Sequence, residues 1–179
     1  MRPPEEFATN RLSLRPPVLE DAAAIFETYA QDLDVVKYLS WRPHQNIDET
    51  RGYLGQSISA WEQGTDFLWM ITRRDQGRLI GAVVIRIDGH RASLGYVLSK
   101  AEWGNGYMAE AVQKIVEWAL NQEEIFRVWA VCDIENTASA RVMEKVGMKR
   151  EGILGRWIKH PNLNLSDEPR DCCCYARVK

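Results

Sequence analysis

Gly104-Asn105-Gly106 stands inside the stretch LGYVLSKAEWGNGYMAEAV (94–112), where a strand-like segment runs directly into a helix-like one. The first amides of a helix have no intrahelical acceptors, and the helix dipole makes that end positive. Glycines at such a start let an anion reach the main chain without meeting a Cβ. The chemistry this spacing fits is a grip on a diphosphate; the bland alternative is a turn. No Lys-Ser/Thr pair follows the second glycine, so the loop is not of the Walker type. Ala109 occupies the last position of the dinucleotide pattern G-x-G-x-x-G, which only the looser form of that motif admits. A second candidate for chemistry is the run Cys172-Cys173-Cys174, with Cys132 apart. Metal ligands come as spaced pairs, and this run is not one. On a strand, Cys172 and Cys174 face one side and Cys173 the other, so the cysteines read as small core residues and no metal is expected.

The elements that must carry these residues follow from periodicity. Met108, Ala111, Val112, Ile115, Val116 and Ala119 form one apolar stripe, which predicts a helix from about Gly106 to Leu120. It lies between two strand-like segments, Leu94–Leu98 and Arg127–Cys132. If those strands are neighbours, the helical crossover makes them parallel. Upstream, DFLWMITRR and RLIGAVVIRI flank a turn at Asp75-Gln76-Gly77 and read as a hairpin, and Asp88-Gly89 turns the chain again. RLSLRPP (11–17) reads as a first strand, and LEDAAAIFETYAQD (19–32) and IDETRGYLGQSISAWEQG (47–64) as helices. After Cys132, Asn136 is a good N-cap for a helix whose buried face is marked by Ala138, Val142 and Val146, with Gly147 as its stop. DCCCYARV closes the chain as a strand. The pattern predicts a mixed sheet with helices packed on it.

With 179 residues, the chain suits a single domain over 1–179 with one sizeable core. A net charge of −2 argues against a general nucleic-acid or acidic-membrane surface. No apolar run approaches the ~20 residues of a membrane span, and MRPPEEF lacks the character of a secretory leader, so a cytoplasmic location is the expectation.

GYVLSKAEWGNGYMAEAV followed by NTASARVMEKVGMKREG resembles the GNAT superfamily of acetyl-CoA-dependent N-acetyltransferases. TNRLSLRPPVLEDAAAIF and EPRDCCCYA are similar to its ribosomal-protein-alanine acetyltransferases, the RimJ/RimL type, so the likeness covers nearly the whole chain. The resemblance implies an α/β (α+β) fold: a mixed, mostly antiparallel sheet with a central parallel strand pair and helices on both faces. It implies acetyl-CoA as cosubstrate, held by the main chain of Trp103, Gly104, Asn105, Gly106, Tyr107 and Met108. Trp103 replaces the family's usual Gln or Arg, and Met108 its usual small residue. Tyr96, Val97 and Leu98 are implied to bond the peptide-like pantetheine arm as an added strand would. Asn136 is implied near that arm, and Ser139 near the sulfur, where its hydroxyl would protonate the departing thiolate.

The general base is not legible. The subgroup's Glu before the Gly-Tyr pair is Ser93 here, and His90 sits beside a turn. A protein α-amine has a pKa of ~7.7–8.0, whereas a lysine at ~10.4 leaves only about one molecule in a thousand neutral. A site without an obvious carboxylate therefore leans towards low-pKa amines; as acceptors a peptide N-terminus and small amines (a free amino acid, a polyamine or an aminoglycoside) all stay open. VVKYLSWRPH and GRWIKHPNLNLSDEPRD are the expected walls of the acceptor cleft, with Tyr38, Trp41 and Trp157 shaping it. A homodimer stays open as an assembly. Two other readings also stand: a coenzyme A or amine sensor with little catalysis, and a metal or redox protein built on Cys172–Cys174.

Overall fold

The computed structural model describes residues 1–163 and 168–179. In chain order the strands are β1 (Phe7–Ala8), β2 (Leu12–Arg15), β3 (Phe67–Arg73), β4 (Leu79–Asp88), β5 (Arg91–Leu98), β6 (Arg127–Asp133), β7 (Lys149–Ile158) and β8 (Arg170–Val178). The helices are α1 (Asp21–Ile25), α2 (Leu33–Val36), α3 (Ile47–Gln63), α4 (Tyr107–Leu120) and α5 (Thr137–Lys145). The strands form one sheet in the order β1-β2-β3-β4-β5-β6-β8-β7. Every pairing is antiparallel except β5 with β6, the pair joined through α4.

Alternation along the strands sorts the side chains onto two faces. Phe67, Trp69 and Ile71 of β3 join the core beneath α4 and α5, whereas Leu68 and Met70 join the core beneath α1, α2 and α3. The α4 stripe is as expected: Met108 is 4% exposed, and Ala111, Val112, Ile115, Val116 and Ala119 are fully buried. Burying a Val or Ile side chain stabilises by roughly 1.5–3 kcal/mol, so this stripe fixes the helix to the sheet.

The helix ends follow local chemistry. Asn46 caps α3 through the amides of Asp48 and Glu49, and Gly64 ends it at φ 73°. Gly147, at φ 78°, closes α5: its amide meets the Glu144 carbonyl and that of Met148 meets Met143. The predicted first helix is shorter than its apolar pattern. α1 gives way at Phe26–Ala30 to a wider π turn. Asp21 in its first turn is buried and takes a two-pronged contact from Arg15, at 2.8 and 2.6 Å, which ties α1 to β2.

Three expectations change. β1 and β7 are strands that periodicity does not mark. On α5, Ala138 is exposed, and the buried residue is Met143 rather than the predicted Ala138; Val146 is buried and Val142 half-buried. The helix lies over the sheet edge, so its core contact falls one turn later than its first apolar residue.

β4 carries a bulge. The β3 register passes from Gly81 to Leu79, leaving Ile80 without a partner on that strand. Beside it, a Cβ placed on Gly81 would stand 2.3 Å from the Val97 carbonyl oxygen, so β4 and β5 approach as closely as only glycine permits.

Candidate active site

The parallel pairing of β5 with β6 lasts three residues, Arg91–Ser93 against Arg127–Trp129. Beyond Ser93 the strands part, while β5 stays paired with β4 as far as Leu98. The main chain of β5 alternates sides. The Ser99 amide donates to Ile80 on the β4 side, and the His90 carbonyl accepts from Phe126 on the β6 side. The even residues Tyr96 and Leu98 therefore aim their amides and carbonyls into the gap. The Leu98 carbonyl accepts from the Trp103 indole at 2.9 Å, which folds this half-exposed ring back over the strand end.

The glycine loop lies at the end of that strand. Gly104 and Gly106 have φ of 81° and 79°, a conformation that favours glycine. A Cβ on Gly104 would meet nothing within 4 Å. Among the described residues, nothing accepts from the amides of Gly104, Asn105 or Gly106, and no side chain caps α4. Loop and helix are fastened from behind. Glu110 accepts from Thr9 and from the Arg11 amide and guanidinium, and Arg11 also donates to the Asn105 carbonyl at 3.0 Å. The Tyr107 ring is buried against Arg11 and Arg73, whose guanidinium carbons lie 4.4 and 5.3 Å from its centroid. The Met108 side chain lies in the core, so it does not narrow the loop.

Across the gap stands the start of α5. The Asn136 side chain accepts from the Ser139 amide at 3.1 Å, the predicted cap. The Ser139 hydroxyl lies 2.8 Å from that of Tyr96, which is also 3.1 Å from the Ser139 carbonyl. Sequence reasoning assigned Tyr96 a main-chain role and missed this contact, which joins residues 43 positions apart. Burial holds the Tyr96 hydroxyl well above its usual pKa, despite the opposing Ser139 bond, so it stays protonated. Burial likewise pushes the neighbouring Cys132 thiol up to about 12. Cys172 and Cys173 are buried too and Cys174 is half-buried; no cluster of three His, Cys, Asp or Glu fit to hold a metal occurs among the described residues.

On the other face of β6, Asp133 is buried and paired with Arg170 at 2.6 Å. His160 stands 3.6 Å from Asp133, also buried. Tyr38 packs edge-on to His160, with ring centroids 6.3 Å apart. Asn162 donates to the carbonyls of Val36 and Trp41, both at 2.7 Å. The structure thus brings Tyr38 and Trp41 to the β7–β8 connection. It does not bring Trp157 there in the same way: Trp157 is on the outer strand β7 and 53% exposed. The expected wall 155–171 includes residues 164–167, which lie outside the described residues. His90 sits in the β4–β5 turn, at the opposite end of β5 from the gap. A separate open cavity of about 1100 Å³ is lined by Arg15, Arg78 and Lys100 and by Asp21, Glu27 and Asp32, a balanced set with no net pull on phosphates.

Residues 11–149 match the family model described as the acetyltransferase (GNAT) domain. The chain belongs to the GNAT acetyltransferase family. YoaA of Bacillus subtilis (strain 168), an uncharacterized N-acetyltransferase, is 28% identical to this GNAT chain over 174 residues, spanning 96% of it and 95% of the relative. The crystal structure of a GNAT acetyltransferase from Bacillus anthracis superposes with a TM-score of 0.83 at 28% identity, covering 97% of this chain and 98% of that one. RimL, a ribosomal L7/L12 alpha-N-protein acetyltransferase solved with coenzyme A, shares the fold with a TM-score of 0.84 at 22% identity, over 97% and 98% of the two chains. As a GNAT member the protein is an acyltransferase that carries out acetyl-CoA-dependent N-acetylation. No described helix is long and apolar enough to cross a membrane.

Proposed function

We propose that this GNAT enzyme acetylates the α-amine of a protein or peptide N-terminus, in the manner of the RimJ/RimL type, by direct attack on acetyl-CoA bound in the β5–β6 gap. The observation that carries this reading is the gap itself: a strand edge with main-chain groups of Tyr96 and Leu98 aimed into it, ending at a loop whose amides are unclaimed. The pantetheine amides bond Tyr96 and Leu98 as a partial strand, beside Val97. The diphosphate is held by the main chain from Trp103 to Met108, with the α4 dipole behind it. The Leu98 amide faces the acetyl oxygen as charge develops on it.

Ser139 then protonates the leaving thiolate. Its hydroxyl can receive a hydrogen bond from Tyr96 and turn its own proton to the sulfur, so the two hydroxyls act in series. Tyr38 and Trp41 wall the acceptor approach, with Trp157 at its outer rim. The preference for an α-amine rests on the amine's own pKa, about 2.5 units below that of lysine. The name of the coenzyme A-bound RimL relative, an alpha-N-protein acetyltransferase, is consistent with that choice.

The test is acetyl transfer by the purified chain to peptides starting with Ser, Ala or Met, to an Nα-blocked lysine peptide and to spermidine. Transfer to free N-termini, lost on Nα-blocking, is expected. Transfer confined to lysine or spermidine would overturn the acceptor assignment.

A further inference from the structure

Half of one sheet face belongs to neither hydrophobic core. On β6, Val128, Ala130 and Cys132 join the core beneath α4 and α5, so Trp129 and Val131 point the other way. On that side α1 packs on β4 and α3 on β3, and the core they close takes in nothing from β6, β7 or β8. Trp129 and Val131 are only half-buried. Val131 pairs with Cys174 of β8, and Leu154 of β7 pairs with Cys172 on the same face; Cys174 and Leu154 are half-buried too. Large apolar groups gathered half-exposed on one face mark a place where something docks. The Trp129 indole N–H has no partner among the described residues and is free to donate to it.

The face is bounded. At the Asp133 end, His160 and Tyr38 close over it. At the Arg127 end, Arg127 reaches across to Glu151 of β7. The carboxylates around it are each held by an arginine: Asp133 and Glu135 by Arg170, Glu151 by Arg127, and Asp66 by Arg86.

It also adjoins the gap. Ser93 and Trp129 are the last pair before β5 and β6 part. Ala92, Leu94 and Tyr96 join the α4 core, so Ser93 and Gly95 lie on the open face with Trp129 and Val131. Gly95 puts no side chain there, which leaves the β5 lip of the gap low. The glycine loop, α4 and Ser139 stand on the opposite face. A thioester held from that face is met by its amine from this one.

We propose that Trp129, Val131, Cys174 and Leu154 form a floor for the residues that follow the acceptor amine, so that the substrate is a peptide or protein N-terminus with apolar side chains at its second to fourth positions. This inference rests on the α-amine reading above and adds what the amine is attached to. Neighbouring strands are ~4.8 Å apart, so Leu154 lies on the order of 10 Å from the β6 lip. Three extended residues span about 10 Å, which carries the chain behind the amine across the floor. A charged side chain laid on this floor loses water and gains no partner, because the carboxylates at its margins are already paired. The same cost falls on a polyamine or an aminoglycoside, so selectivity comes from exclusion as much as from contact.

The experiment measures kcat/KM for acetyl transfer to Ser-starting peptides carrying Leu-Ile-Leu, Lys-Lys-Lys or Asp-Asp-Asp at positions two to four, and to spermidine, with wild type, Trp129→Ala and Leu154→Glu. The wild type should favour the apolar peptide by about tenfold or more over either charged one. Trp129→Ala should cut that preference, mainly through KM. Leu154→Glu should shift it towards the lysine peptide by about tenfold. These ratios do not depend on what fraction of a variant folds, and the wild-type panel decides alone if a variant does not fold. Equal rates with the three peptides, or wild-type ratios kept in both variants, would overturn the floor and leave the α-amine reading standing. Transfer to spermidine alone would overturn both. Sedimentation velocity tests the other occupant: a dimer that Trp129→Ala turns into monomer, with peptide preference unchanged, would make the face a contact between copies and overturn the proposal.

Discussion

Ser139 and Tyr96 meet through their hydroxyls, and the two side chains make separable predictions. Ser139→Ala removes the hydroxyl proposed to serve the sulfur. It should lower kcat by about 10–100-fold, with coenzyme A affinity held within about threefold, as seen by steady-state kinetics and calorimetric titration. Tyr96→Phe keeps the Ser139 hydroxyl and removes only its hydrogen-bonding partner, so a loss of about tenfold or less is expected. Equal and full activity in both would remove these hydroxyls from the reaction. Neither contact was legible in the sequence, because a strand residue and a helix residue 43 positions apart meet only when the sheet is formed. His160 and Asp133 were missed for the same reason. The signal open to a reader was Asp133 itself, a carboxylate that follows the apolar run Val128–Cys132.

At the scale of elements, the α4 entrance combines two glycines with a clasp. Gly104→Ala places a methyl in open space but at φ 81°, so stability should fall by about 1–2 kcal/mol. The loss of acetyl-CoA affinity should be larger, tenfold or more, if the diphosphate sits at this loop as proposed, because the methyl would then enter its path. Denaturation with and without coenzyme A separates the two effects. Burial raises the Glu110 pKa, but Thr9 and Arg11 outweigh it and leave the carboxyl below its usual value. Its contribution is therefore complete above the unfolded value of ~4.5 and is lost as pH falls through the lower folded value. Glu110→Gln should be about 1 kcal/mol less stable than wild type at pH 7, and the gap should close in urea titrations as pH falls below the carboxyl's lowered folded value. Much at this scale could be read from sequence: the α4 stripe, the β3–β4 hairpin and the Gly64 and Gly147 stops are local patterns. β7 could not. Its residues are mostly exposed, it carries two glycines, Arg156 has φ 47°, and its pairing with β8 breaks register twice. Only β8, across a connection of eleven residues, makes it a strand.

For the molecule as a whole, the sheet is continuous on both sides of a gap that opens after three paired residues. A ligand that fills it joins the β1–β5 half to the β6–β8 half. Coenzyme A at 100 times its Kd should raise stability by about 2.7 kcal/mol. Hydrogen exchange should slow at Tyr96, Leu98 and Gly104–Gly106, with little change in the middle of β3. Slowing spread evenly over all strands would contradict a ligand seated in the gap. Gly81 bears on the same opening from a distance. It lies on β4, one strand removed, yet its lack of a side chain is what lets β5 lean back that far. A single methyl at 81 would push the Val97 carbonyl, and β5 with it, toward β6. The aperture for the thioester arm is thus calibrated by a residue that never borders it, and Gly81→Ala should narrow the cleft while the phosphate loop and both hydroxyls remain intact.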